Sequence, residues 1–114
     1  MKIETASQGT KLRIYLSGEL DHHGARSAMR TIEDRISAYL PRDCVLDLGG
    51  LSFMDSSGIA VLLKSYKRLG QIGGRLRVEN VPEQPMKVID ASGIERLLGV
   101  SCLSRPGDAA RDNK

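Results

Sequence analysis

Apolar residues recur at two periods along this chain, and the switches between them mark its elements. Leu12, Ile14 and Leu16 alternate with Lys11, Arg13 and Tyr15, the period-two pattern of a half-buried strand. With residues 1–8 ahead of them and Gly9-Thr10 between, they predict a hairpin of strands over 1–8 and 11–17. Gly18-Glu19-Leu20-Asp21 then reads as a turn. Asp21 suits a helix N-cap, because its carboxylate accepts from the orphan N–H groups of a first turn. Ala25, Met29, Ile32, Ile36 and Leu40 step by three or four, predicting a helix to about Leu40 that Pro41 ends.

Residues 43–48 have a continuous apolar centre, as in a strand buried within a sheet, and Gly49-Gly50 is expected to loosen the chain after them. Helical periodicity resumes with Ile59, Leu62, Leu63, Tyr66 and Leu69, which places Tyr66 on the core side. This central helix should run from Ser56 to Leu69 or Gln71 and stop at Gly73-Gly74. Arg75 to Val81 reads as the next strand. Pro82-Glu83-Gln84-Pro85 opens a helix whose buried side is Met86, Val88 and Ile89 and which gives out near Ser92. Ser92-Gly93-Ile94-Glu95 has capping-box spacing, predicting a last short helix to Gly99 and then an edge strand over 100–103. The order predicts an α/β fold: a small mixed sheet of four to five strands packed with about four helices, its later strands parallel. One domain is expected over residues 1–103, with a flexible polar tail from Ser104 to Lys114. Loops that follow the strands share one end of such a sheet, which brings the Gly18–His23 turn beside the Asp55–Ser57 turn.

Composition narrows the class. The chain has 114 residues, one Phe and no Trp, so it suits a single aliphatic core. Its start lacks the apolar segment of a signal peptide, and no stretch reaches the ~20 apolar residues that span a bilayer. A cytoplasmic protein with no membrane contact is the expectation. Cys44 and Cys102 show neither disulfide nor CxxC spacing and read as reduced, mostly buried thiols. The net charge of +3 is modest. Lys64, Lys67 and Arg68 share a helix face, but the one aromatic among them, Tyr66, reads as core-side, so a solvated face is favoured over direct nucleic-acid contact.

Chemistry concentrates at Asp55-Ser56-Ser57. These residue types cap helices, and capping alone accounts for them. An exposed serine at a helix N-terminus is also a place where a phosphate is well tolerated, because free donors and roughly half a positive charge meet there. A serine nucleophile with His22 or His23 and Asp21 or Asp55 is disfavoured by the absence of a G-x-S-x-G elbow. A zinc site fails because the two histidines are adjacent, and no P-loop ending follows either glycine pair. No catalytic residue, metal or cofactor is therefore expected.

Four segments taken together carry a resemblance: Gly18-Glu19-Leu20-Asp21-His22-His23, Leu51-Ser52-Phe53-Met54-Asp55-Ser56-Ser57-Gly58-Ile59, Tyr66-Lys67 with Gln71-Ile72-Gly73-Gly74, and Asp90-Ala91-Ser92-Gly93-Ile94. In this order and spacing the chain resembles the anti-sigma factor antagonists of the STAS-domain family, nearest to its sporulation members. The resemblance implies a non-enzymatic partner switch. The unphosphorylated form would bind an anti-sigma factor that is itself a serine kinase, releasing a sigma factor. Phosphorylation, which in the family falls on the serine matching Ser56, would end the contact, and a metal-dependent serine phosphatase would restore it. Asp21, His22, His23, Asp55, Ser56, Ser57, Gly58 and Ile59 would line the binding surface, and the protein alone would be monomeric. The rival reading is a STAS-like sensory or scaffold domain that binds a small ligand or another partner, with the serine only a cap.

Overall fold

The computed structural model describes residues 1–102. Five strands, β1 (Lys2–Gln8), β2 (Lys11–Leu20), β3 (Asp43–Met54), β4 (Arg75–Val81) and β5 (Gly99–Cys102), form one sheet in that spatial order. β1 and β2 are an antiparallel hairpin, and every later pairing is parallel. Between the strands run α1 (His22–Tyr39), α2 (Ser56–Gln71) and α3 (Glu83–Ser92), with a single 3₁₀ turn at Ile94–Arg96. This is the mixed α/β sheet with helices that the element order predicts, the expected fourth helix being that turn.

Alternation along the strands sorts the two faces of the sheet. Leu12, Ile14 and Leu16 of β2, Cys44, Leu46 and Leu48 of β3, and Leu76 and Val78 of β4 join one buried cluster with Ile32 and Ile36 of α1, Leu62 and Leu69 of α2, and Ile89 of α3. The alternate positions, among them Arg13, Tyr15, Val45, Arg77 and Glu79, line a groove of about 750 Å³ on the other face. Polar pairing replaces a second helical layer there: Arg13 donates to Asp47 at 2.7 Å and to Glu79 at 3.0 Å.

Several local expectations change, each for a physical reason. Gly18-Glu19-Leu20 is the end of β2 and not a turn, and Gly49-Gly50 lies inside a continuous β3. The register explains both. Tyr15 pairs with Asp47 but Ser17 with Gly50, and Gly18 pairs with Leu51 but Glu19 with Phe53, so β3 carries two one-residue insertions opposite β2. Each is a bulge that bends the strand without ending it. Asp47 steadies the first by accepting from the Gly49 N–H at 2.9 Å.

Leu40, expected on the buried stripe of α1, is instead its C-cap, in the left-handed region at φ 47° and exposed. Its N–H still closes the last turn on the Ile36 carbonyl. Tyr66, expected toward the core, is exposed, while Ser65 takes the buried place and satisfies its hydroxyl on the Val61 carbonyl at 2.7 Å. Ser92 makes no reciprocal capping box: its Oγ accepts from the Ile94 N–H and donates to the Ile89 carbonyl, which closes α3 and leaves one 3₁₀ turn. Cys44 is buried as expected, but Cys102 is exposed. The expected tail, Ser104 to Lys114, lies outside the described residues. No helix among the described residues is long and apolar enough to cross a membrane.

Candidate functional site

The site forms where β2 and β3 release the chain into α1 and α2. The two strands end in register, Leu20 against Met54, and the Asp55 N–H donates to the Leu20 carbonyl at 3.3 Å. Each strand is followed by a single aspartate with extended backbone that caps the next helix. Asp21 Oδ1 accepts from the Gly24 N–H and Asp55 Oδ1 from the Ser57 N–H, both at 2.8 Å. Two helix N-termini thus start side by side. Neither first turn contains an acidic residue, so their positive ends are compensated by the capping carboxylates alone.

This geometry brings together most of the residues expected to line one surface. Ser56 is exposed at the first position of α2, His22 and His23 are exposed at the first two positions of α1, and Asp21, Asp55, Ser57 and Ile59 are half-buried between them. Gly58 is the correction. It is buried beneath the surface, and a Cβ there would run into the Met54 side chain and approach Leu20 Cδ2 to 3.1 Å. It belongs to the packing under the site, where only a hydrogen lets α2 close on the strand ends.

Three further residues belong to the site. Gly24 is buried in the first turn of α1, and a Cβ there would strike the Glu19 carbonyl oxygen. A glycine three positions after a capping aspartate is the signal that marks it. Phe53 is 40% exposed at the end of β3, leaving an aromatic surface beside the polar turn; its place one before the buried Met54 in a period-two strand predicts that outward aim. Gln84, on α3, hydrogen-bonds both backbone groups of Met54: its Oε1 accepts from the N–H at 2.8 Å and its Nε2 donates to the carbonyl at 2.9 Å. No local pattern in the sequence announces that contact across thirty residues.

The titratable groups further back along the strands serve the scaffold. Burial opposes ionisation of Asp47, but the Gly49 N–H, the Arg13 guanidinium and the Asn80 amide outweigh it and hold its carboxyl below the usual carboxylate range. Asn80 reaches it from a left-handed backbone conformation at φ 57°, which asparagine tolerates better than most residues. Burial pushes the Cys44 thiol up to about 12, which makes it inert near neutral pH.

A sheet of this order with paired aspartate-capped helices defines a class, and the family model for the STAS domain matches residues 2–105. The chain belongs to the STAS-domain family. Among its relatives, the anti-sigma F factor antagonist of Paenibacillus polymyxa is 34% identical over 100 residues, covering 88% of this chain and 86% of that protein. The anti-sigma factor antagonist SpoIIAA in its unphosphorylated form superposes with a TM-score of 0.74 at 26% identity, over 98% of this chain and 95% of that one. The phosphorylated form of the Bacillus cell fate determinant SpoIIAA gives 0.65 at 26% identity, over 99% of this chain and all of that one (100%).

Proposed function

We propose that this chain is an anti-sigma factor antagonist whose binding is switched off by phosphorylation of Ser56. In the unphosphorylated state it binds an anti-sigma factor in the cytoplasm and so frees a sigma factor. The bound partner, an ATP-dependent serine kinase, then modifies Ser56, and a metal-dependent serine phosphatase reverses the modification. The chain itself catalyses nothing. The observation that carries this reading is the exposure of Ser56 on a helix N-terminus that sits against a second, histidine-bearing helix start. Membership of the family, and relatives whose names describe antagonists, supply the partner class. The resemblance of the Asp55-Ser56-Ser57-Gly58 segment to the family motif supplies the acceptor.

The physics of the switch follows from position. A phosphoserine adds about −1.5 to −2 charges beside Asp55. The two helix N-termini accommodate part of that charge internally, so the fold persists. At the interface the same charge must be desolvated against a partner surface shaped for a neutral hydroxyl, which ejects the partner. Titrating an anti-sigma factor kinase with wild type and with Ser56→Asp tests the reading. Affinity about tenfold weaker for the variant, at unchanged stability, is the expected outcome. Equal affinity sinks an interface switch centred on this serine.

A further inference from the structure

The strand that carries the proposed acceptor loses its neighbour just before the site. β4 pairs with β3 only from Asp43 to Asp47 and still lies against Gly49 through Asn80, so it leaves the end of β3, residues 50–54, without a strand partner on that side. In a parallel ladder, successive residues aim their N–H and C=O groups alternately at the two neighbours. Asp55 aims at β2 and donates to Leu20, so Met54 aims the other way, into the gap where a further strand would lie. The Gln84 carboxamide fills that gap and reproduces both hydrogen bonds of a strand partner. Met54 is fully buried, and its side chain is the floor on which Gly58 rests. Gly58 in turn closes the first turn of α2 by donating to the Asp55 carbonyl at 3.0 Å.

We infer that Gln84 is a positioning residue, a one-residue substitute strand through which α3 fixes the height and rigidity of the turn that presents Ser56. As a positioning role it rests on the functional reading above, but its geometry does not. Without the carboxamide, two backbone groups of Met54 turn to water, and the Met54–Gly58 segment opens more often. A partner kinase must then order that segment on binding, so the loss falls on KM and not on kcat.

The test compares wild type with Gln84→Met, which keeps the length and loses both hydrogen bonds, and with Gln84→Ala. Amide exchange is read residue by residue, and Ser56 phosphorylation is followed with an anti-sigma factor kinase and ATP. Exchange at Met54 should accelerate about tenfold, with the increase confined to Met54–Gly58. KM for the chain as kinase substrate should rise about fivefold at unchanged kcat. Wild-type exchange and wild-type KM in both variants overturn the inference, as does acceleration spread over the whole sheet, which is what a general loss of stability gives. If wild type is never phosphorylated, the functional reading fails and exchange alone decides. Acceleration confined to Met54–Gly58 then supports the clamp, and wild-type exchange overturns it.

Discussion

The N–H of Asp55 donates to the carbonyl of Leu20, so the cap of α2 is tied to the last residue of the strand that leads into α1. With Leu20 and Met54 in register, that 3.3 Å hydrogen bond joins two helix starts, 34 residues apart when counted from Asp21 to Asp55, in a single surface. Asp21 sits next to that bond, and on the proposed function it would carry a recognition role separable from its observed cap. Asp21→Ala removes the acceptor for the Gly24 N–H and should cost about 1 kcal/mol in denaturant unfolding. Asp21→Asn keeps the cap and should unfold within about 0.5 kcal/mol of wild type. Weakened binding of an anti-sigma factor by Asp21→Asn then reports the recognition role alone.

Two glycines under the surface are held by close approach. Gly24→Ala forces a Cβ onto a backbone carbonyl, whereas Gly58→Ala meets the side chain of Met54. A side chain yields more readily than backbone. Chemical unfolding should show a loss of about 3 kcal/mol for Gly24→Ala and about 1–2 kcal/mol for Gly58→Ala. The reverse order would show that Met54 has no room to move.

The first bulge of β3 should make the protein sensitive to acid through Asp47. Its pKa is lower folded than unfolded, so its contribution to stability is whole above the unfolded value, about pH 4. That contribution is lost as pH falls from there through the folded pKa. Asp47→Asn should therefore cost about 2 kcal/mol at pH 7 and progressively less below pH 4, measured by urea unfolding at each pH. A pH-independent deficit would assign the residue a packing role only.

The cysteines should separate cleanly. Cys102 is exposed and Cys44 is buried with its thiol pushed up to about 12, so a thiol reagent near neutral pH should label one cysteine in the native protein and two after denaturation. Immediate labelling of both would mean that β3 opens far more readily than its packing implies.

How much of this could be read in the residues depended on distance along the chain. Caps and periods are local, so Asp21 and Asp55 and the start of each helix followed from spacing, while the order of the elements set the two turns at one end of the sheet. What needed the partner strand did not. Gly18-Glu19-Leu20 and Gly49-Gly50 carry turn-forming residues, and only the β2–β3 register shows them to be a strand end and a bulge. Leu40 fits an apolar period but lies past the end of the buried stripe, where a left-handed cap claims it, and Tyr66 lies beside a stripe that runs through Val61, Leu62, Ser65 and Leu69. Gln84 has no local signature, because its role arises from an edge of β3 that β4 leaves unpaired.

On the proposed function Ser56 is the switch. The most direct measurement is the intact mass of the purified chain after incubation with an anti-sigma factor kinase and ATP, with Ser56→Ala and Ser57→Ala in parallel. A single phosphate is expected on wild type and on Ser57→Ala, and none on Ser56→Ala. An unmodified wild type beside a kinase active on another substrate, or a phosphate that persists in Ser56→Ala, would contradict it.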